Sequence, residues 1–559
     1  MLNTIPESLF QIYQTEPDRT AIIFHDVEGD DALTYREILH GSAGVAGKLD
    51  SCGITPGDPV VLILQHGNAL IASFFGTILQ GAIPAIMPFL TEKLSPQIYR
   101  NSLSALIEIT KPVAIITYTE FENEVLKAVE GETSVREVLL VSEFEPVDVI
   151  PWDNLPGMQQ SPSDIALLQH SSGTTGLQKG VALSHEAIFN QIEAYAESIL
   201  MTDEDIVVSW LPLYHDMGLI AGFIMPILLR TKLILMSPFV WVRAPYRLLH
   251  AVSDHRGTLS WLPNFAFNFM TKKIRDRDLE GVSLASWRAV INCSEPMRWE
   301  SHQMFAERFE PLGLNQEALV TCYAMAENVF AVTQGGVNSP VILDEISRES
   351  LRDGVVAEKI KGDEVGVKML SAGRPIRGTQ LRILDQDYED LPERHFGEVA
   401  LKSACMLSEY FNRRDLTSGA FTRGWYLTGD IGYIAEGELF VVGRRKELII
   451  VGGKNIHPQD IEDLAGSIQG VHPGRVVAFG VFNDDIGTED VVVVAEVDTQ
   501  DKVERDDLAR TMRDVITRGS DIVPRTIKIV DRDWLVKTSS GKIARSANRD
   551  RFLHEQNRL

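Results

Sequence analysis

The chain has 559 residues, of which 44% are hydrophobic and 23% charged, with a formal net charge of −25. That length serves two or more domains with sizeable cores, and the acidity argues against any partner held by a phosphate backbone, so no nucleic acid is expected. The four cysteines (Cys52, Cys293, Cys322 and Cys405) are widely spread and form no C-x-x-C pair, which argues against a disulfide scaffold or zinc module and fits a reducing, cytoplasmic setting.

The opening MLNTIPESLFQIYQTEPDR is acidic and amphipathic and lacks the basic n-region of a signal peptide. PVVLIL (59–64) reads as a buried strand, NALIASFFGTILQG (68–81) as a helix and AIPAIM (82–87) as strand again. VAIITY (113–118) and REVLLVS (136–142) repeat the theme, and DIVVSWLP (205–212), the helix-like MGLIAGFIMPILL (217–229) and TKLILMS (231–237) extend it. The most apolar stretches, 60–87 and 217–229, are interrupted by polar residues and proline or are too short, so no membrane span is expected. Short β-branched runs alternating with helices predict an α/β fold of layered, largely parallel sheets. Near residue 440 the composition shifts. GELFVVG (437–443) reads as a hairpin leg, and RRKELIIVGGKNIHPQDIE (444–462) brings charge, a strand, a double glycine and a helix start at Pro458. AFGVFN, DVVVVAEV and TIKIV then read as strands of a compact α+β unit. The boundary is placed between Arg445 and Lys446, giving a core of residues 1–445 and a smaller unit of residues 446–559.

HSSGTTGLQKG (170–180) lies between an apolar run and an amphipathic one, but Gly180 follows Lys179, so the motif is not G-x-x-x-x-G-K-[ST]. Two readings stand. The hydroxyls of Ser171, Ser172, Thr174 and Thr175, with backbone N–H groups freed by Gly173 and Gly176, could wrap two phosphates while Lys179 neutralises them. Alternatively the run is a flexible surface loop. His215 and Asp216 suggest hydrolytic acid–base chemistry, yet no G-x-S-x-G or H-E-x-x-H accompanies them.

SSGTTGLQKGVALSH (171–185) resembles the signature loop of the adenylate-forming superfamily, which holds acyl-CoA synthetases, peptide-synthetase adenylation domains and luciferases. YAMAEN (323–328) resembles that family's Tyr-x-x-x-Glu segment, YLTGDIG (426–432) its ribose-binding motif, GRRKELI (443–449) its hinge and KTSSGKIAR (537–545) its terminal catalytic-lysine motif. The motifs stand in the family's order over almost the whole chain. WLPLYHDMGLI (210–220), MSPFVWVRAPYRLLHAVS (236–253), LPNFAFNFMTKKI (262–274), SWRAVINCSEPMRW (286–299) and LIIVGGKNIHPQDIE (448–462) resemble one branch, the fatty acyl-AMP ligases. The chain departs from that branch at Trp261-Leu262-Pro263, where GGPNF is usual, and at Cys293-Ser294-Glu295, where GAEP is usual. Both departures lie near the expected acyl pocket and adenine face and bear on chain length more than on reaction type.

The resemblance implies a large N-terminal domain of layered sheets and helices, with a smaller, mobile α+β C-terminal domain. It implies that a fatty or related carboxylic acid attacks the α-phosphate of ATP, giving acyl-AMP and pyrophosphate, and that the acyl group passes to the phosphopantetheine thiol of a holo acyl carrier protein. Such chemistry is mostly positioning and charge neutralisation. By resemblance, Glu327 is the Mg²⁺ ligand, a role that suits a hard carboxylate; taken alone it could be a surface glutamate. Asp430 would accept bonds from both ribose hydroxyls, although an Asp before Gly432 also suits a turn. Ser294, Glu295 and Pro296, with Tyr323, Ala324 and Met325, would flank adenine, and Arg444 would reach the ribose or phosphate side. Lys542, in a Ser/Gly turn, would touch the carboxylate and α-phosphate as charge builds, where a terminal lysine is otherwise solvated. Lys446 takes the hinge position and His215 the junction of carboxylate and acyl pocket. Met217, Ile220, Phe265 and Phe267 line that pocket or simply fill core.

Between the Tyr-x-x-x-Glu segment and SAGRPIRG (371–378) the chain carries an added stretch, 335–369, whose alternating apolar and charged residues suggest a short strand and helix. In the ligase branch such a segment is expected to pack against the C-terminal domain and hinder the rotation that CoA use requires; a bland exposed loop is the alternative. An α-amino acid normally needs a buried Asp to meet its ammonium, and the only nearby candidate, Asp216, belongs by resemblance to the acyl-AMP ligase pattern, which favours an aliphatic acid. Two rivals remain: an acyl-CoA synthetase, and a non-catalytic acyl-nucleotide-binding protein, against which the joint presence of Glu327, Asp430 and Lys542 speaks.

Overall fold

The computed structural model describes residues 4–88, 96–131, 134–171, 179–337, 339–362, 364, 366–451, 454–483, 488–520, 522–538 and 542–556. The expected strands and helices of the N-terminal half are there, and parallel pairing organises two sheets. In the nine-stranded sheet, Leu319–Ala324, Ala289–Asn292, Leu259–Leu262, Ile206–Ser209, Lys232–Leu235 and Thr20–His25 run parallel in that spatial order, with antiparallel strands at both edges. A four-stranded parallel sheet orders Ile83–Ile86, Pro59–Leu62, Ala114–Thr117 and Glu137–Leu140. Strands such as Pro59–Leu62 and Ala289–Asn292 are buried along their full length, as helix-covered parallel sheets require.

The expectation of largely parallel sheets fails elsewhere. Thr379–Leu384, Gly397–Ser403, Trp425–Ala435 and Glu438–Arg444 pair antiparallel, as do Ile165–Ser171, Lys179–Ser184 and Glu409–Tyr410. For Trp425–Ala435 and Glu438–Arg444 the reason is connection length: parallel strands need a crossover, whereas a two-residue turn suffices for a hairpin. Between Ala435 and Glu438 that turn is Glu436-Gly437, both at positive φ (56° and 79°), the geometry that matches strand twist. A second difference is the stretch Met217–Ile224, which winds as a π-helix before an α-turn over Met225–Leu228. Gly218 makes that path possible, since a Cβ there would sit 2.2 Å from the Pro212 carbonyl oxygen. Such widened turns tend to occur where function demands them.

The C-terminal unit pairs Val471–Asn483 antiparallel with Thr488–Val497, which runs parallel to Thr526–Val530. Ile461 and Ala465 of the helix Pro458–Gly466 and Met512 and Ile516 of the helix Lys502–Ser520 pack with Val476 and Val493 into its own core. The added stretch does form a strand, Leu343–Ile346, and a helix, Arg348–Asp353, with Val367–Leu370 closing the hairpin. It is rooted in the antiparallel sheet by Asp344, which accepts from Arg394 at 2.7 Å and from the Tyr433 hydroxyl at 2.8 Å. Its helix reaches the C-terminal unit: Arg348 and Arg352 donate to the carbonyls of Gly519 and Ser520, at the end of the helix Lys502–Ser520. Among the described residues no helix is long and apolar enough to cross a membrane.

Candidate active site

Four neighbouring parallel strands end at one edge of the large sheet, where crevices in α/β folds gather ligands. The segment after Ile206–Ser209 carries His215, Asp216 and Met217. Leu259–Leu262 leads to the helix Asn264–Lys273, Ala289–Asn292 to Ser294–Pro296, and Leu319–Ala324 carries Tyr323 and Ala324 before Met325 and Glu327. Ser294 sits at φ +68°, a left-handed turn that reverses the chain immediately after the strand. Glu295 accepts a hydrogen bond from the Phe265 N–H at 2.9 Å, so its carboxylate caps that helix rather than pointing free, and Pro296 is exposed beside it.

The antiparallel sheet supplies the second wall. Asp430 stands opposite Arg444 in the ladder, and its two oxygens divide their partners: Arg444 Nε lies 3.3 Å from Oδ1, and the Tyr323 hydroxyl donates to Oδ2 at 2.5 Å. Burial raises the Asp430 carboxyl above its ordinary value against the pull of Arg444 and Tyr323. The Tyr323 phenol rises too, through burial and the neighbouring carboxylate. The three-stranded sheet supplies the third wall. Lys179 opens the strand Lys179–Ser184, and its ammonium sits 4.7 Å from the centre of the Tyr410 ring. Burial lowers the Lys179 pKa, and nearby Lys446, Arg413 and Arg444 lower it further, against Glu327. Glu327 accepts from the Tyr410 hydroxyl at 2.8 Å. Lys179, Arg413, Arg444 and Lys446 thus build a positive field around one carboxylate, an environment suited to a polyanion.

The C-terminal unit completes the enclosure. Lys542 Nζ donates to the Ser294 carbonyl oxygen at 2.5 Å. Asp216 feels that ammonium. Burial pushes its carboxyl up, but His215, 2.6 Å away, together with Lys542 and the Met217 N–H, holds it below the usual range. Arg298 joins the units beside them through Asp460 at 3.2 Å and Asp463 at 3.0 Å. Residues far apart in the chain, from Lys179 to Lys542, thus converge on these walls.

Of the remaining expected residues, 172–176 lie outside the described residues, as does the side chain of Ser171. Met217 and Ile220 are buried on the π-helical stretch. Phe265 and Phe267 part company on their helix. Phe265 is 40% exposed, edge-on to the stacked pair Trp210–Trp241, whereas Phe267 is fully buried against His302 and Phe305. Lys446 is exposed in the turn Arg445–Glu447.

Two contributors escaped the sequence reading. Tyr410, which holds both Glu327 and Lys179, carries no motif of its own, and only the strand pairing of Tyr410 with Val181 brings it there. Arg545 closes the segment KTSSGKIAR and so was within reach. It pairs with Glu447 beside the expected hinge and with Glu462 at 2.9 Å, and donates to the Ala478 carbonyl at 3.0 Å. It ties the start of the helix Arg545–Gln556 to the turn Arg445–Glu447 and to the C-terminal sheet.

Comparison with known proteins adds a family and several relatives. A family model described as AMP-binding enzyme matches residues 9–411. The long-chain-fatty-acid–AMP ligase FadD26 of Mycobacterium bovis is 28% identical over 576 residues, covering 98% of this chain and 97% of that protein. The medium-chain-fatty-acid–[acyl-carrier-protein] ligase JamA of Moorena producens is 29% identical over 550 residues, covering 94% and 90%. A structure from work on fatty acyl-adenylate ligases of E. coli and L. pneumophila superposes with a TM-score of 0.91 at 26% identity, covering 100% of this chain and 99% of the other.

Proposed function

The chain belongs to the AMP-binding enzyme family, and from that premise we propose that it activates a fatty or related carboxylic acid as acyl-adenylate and hands the acyl group to the phosphopantetheine thiol of an acyl carrier protein. The observation that carries this reading is the Lys542 ammonium, delivered from the C-terminal unit to the Ser294 carbonyl and within the field of Asp216. Ser294 follows the strand Ala289–Asn292, which neighbours the strand whose Tyr323 donates to Asp430. The names of FadD26 and JamA support the same chemistry.

In the first step a carboxylate oxygen of the acid bonds to the α-phosphorus of ATP, the α–β phosphoanhydride breaks, and pyrophosphate leaves. Lys542 balances charge on the carboxylate and α-phosphate, as a preorganised cation does best in a site shielded from water. Asp430 accepts from the ribose hydroxyls, with Tyr323 and Arg444 fixing the carboxylate. Ser294–Pro296 and Tyr323–Met325 flank the base. Lys179 and the adjoining loop take the β- and γ-phosphates, and His215 faces the junction with the acyl pocket. Glu327 fits Mg²⁺, because its carboxylate has Tyr410 as its side-chain partner among the described residues and lies in a field built for phosphate. Mg²⁺ bound there neutralises phosphate charge. In the second step the thiol sulfur bonds to the acyl carbonyl carbon, the thiol gives up its proton and AMP leaves. The hinge of this reading is Lys446, with the units dividing at Arg445–Lys446.

The test combines the purified chain with ATP, Mg²⁺ and a ladder of fatty acids, offering each acid free CoA or a phosphopantetheinylated carrier protein and reading products by mass spectrometry. Acyl-adenylate that loads the carrier but not CoA is the expected result. Efficient acyl-CoA formation makes the chain a synthetase instead, and no adenylate with any acid overturns the reading.

A further inference from the structure

Away from the site just described, three potential metal ligands gather at the lateral edge of the nine-stranded sheet. His25 ends the strand Thr20–His25, and Asp30 opens the antiparallel strand Asp30–Thr34 directly opposite it. His255 ends the helix Tyr246–His255, whose Arg247 also donates to the Asp26 carbonyl within the connecting hairpin. One oxygen of Asp30 lies 2.8 Å from His25 Nδ1 and the other 2.9 Å from His255 Nε2. No two of the three ligand atoms are more than 4.8 Å apart.

The two imidazoles do not meet the carboxylate in the same way. His25 Nδ1 is in hydrogen-bond geometry with Asp30. His255 Nε2 is shut off from solvent yet makes no hydrogen bond, despite its short distance from the carboxylate. A buried polar atom without a partner costs stability unless something satisfies it. A ring nitrogen that does not direct an N–H at the neighbouring oxygen is free to present its lone pair. Both imidazoles are mostly buried while Asp30 is partly open, with side-chain exposures of 13%, 17% and 39%, so the cluster has solid walls and an entry path.

The geometry points to a divalent-metal site of the Zn²⁺ class formed by His25, Asp30 and His255. Imidazole nitrogens and a carboxylate oxygen suit this ion. Tetrahedral bonds of about 2.0–2.2 Å need the ligand atoms only slightly farther apart than the two closest pairs now stand. Three protein ligands leave a fourth position for water. A metal here clamps the edge hairpin to the helix Tyr246–His255 and so stabilises an exposed sheet edge. Lys232–Leu235 separates this strand pair from the strand that leads to His215, so the clamp is structural and takes no part in the adenylation chemistry.

The chain is stripped with chelator and titrated with Zn²⁺ by calorimetry under saturating Mg²⁺, with Co²⁺ as a visible-spectrum probe and thermal unfolding followed in parallel. One metal per chain, tetrahedral-type Co²⁺ bands and a Zn²⁺-dependent rise in Tm are expected. Asp30→Asn and His255→Gln each remove the rise, whatever their effect on the metal-free Tm. Each also weakens binding by more than about tenfold, since losing even an outer-shell partner costs about 10–100-fold. Failure of the parent chain to take up Zn²⁺ overturns the proposal, as does a Tm rise that persists in both variants. The two histidines are then only pins on Asp30.

Discussion

Replacing Arg545 by methionine tests whether the C-terminal unit is organised around this one buried cation. The guanidinium is 13% exposed and contacts Glu462, 16% exposed, and Glu447, 18% exposed. Methionine keeps much of the volume and leaves both carboxylates without their countercharge. Breaking a buried pair by removing one partner costs about 3–5 kcal/mol, because the remaining charge is desolvated and unpaired. For a unit of this size, that lowers Tm by about 10 °C or more. Adenylation slows as well, because Lys542 lies three residues before Arg545 and small misplacements of a positioned group cost about 100-fold.

The pH dependence sharpens this test. Burial already raises the Glu462 carboxyl above its ordinary value, while Arg545 pulls it down. Without Arg545 it rises further. A carboxyl raised in the folded state costs stability as pH climbs from its unfolded pKa through its folded one, and costs nothing below both. The stability gap between parent and Arg545→Met is therefore widest near neutral pH and narrows as pH falls toward the usual carboxylate range. Urea titrations monitored at several pH values measure it. A gap below about 1 kcal/mol, or one that does not change with pH, refutes the reasoning.

Lys542→Ala lowers the rate of acyl-adenylate formation by about 10²–10³, the usual effect of deleting one preorganised charge-stabilising donor, while thermal unfolding changes little; pyrophosphate release checks it, and a parental rate rejects the assignment. Tyr323→Phe removes the donor to Asp430 Oδ2 and raises KM for ATP several-fold, corresponding to about 1 kcal/mol, with kcat less affected; an unchanged KM separates Tyr323 from nucleotide binding. Arg348→Ala combined with Arg352→Ala releases the added segment from the carbonyls of Gly519 and Ser520 and increases thioester formation with free CoA relative to the parent. CoA use that stays flat in that double variant leaves the segment without a role in thiol choice.

The parts of this molecule legible in the sequence are those where local pattern and chemistry coincide. Pro59–Leu62 and Ile206–Ser209 are short apolar runs, and buried parallel strands look like that wherever they occur. Asp430 and Lys542 sit in motifs whose residue types match their surroundings. What escaped is set by contacts between distant segments. Tyr410 meets Glu327 only because a two-residue strand pairs with Lys179–Ser184. Glu295 is taken up as a cap on Phe265, an interaction across 30 residues that a motif cannot express. The π-helical wind of Met217–Ile224 reflects close backbone approach at Gly218, which hydrophobic periodicity does not report.

In the proposed two-step reaction Lys542 serves the first step and then withdraws, and the contacts that join the two units near the site suit that sequence. Arg298 meets Asp460 and Asp463 with side-chain exposures of 29%, 40% and 64%, and such partly solvated pairs contribute little each. Lys542 adds one hydrogen bond to a carbonyl. Breaking these contacts exposes charged groups that water resolvates readily, so each of them costs little to break. Arg545, Glu447 and Glu462, by contrast, are buried together within the C-terminal unit and beside the turn Arg445–Glu447. Polar, replaceable contacts at the site and a buried ion cluster at the turn suit the hinge proposed at Lys446. In the proposed motion the added segment acts as a restraint, because its two arginines hold the end of the helix Lys502–Ser520.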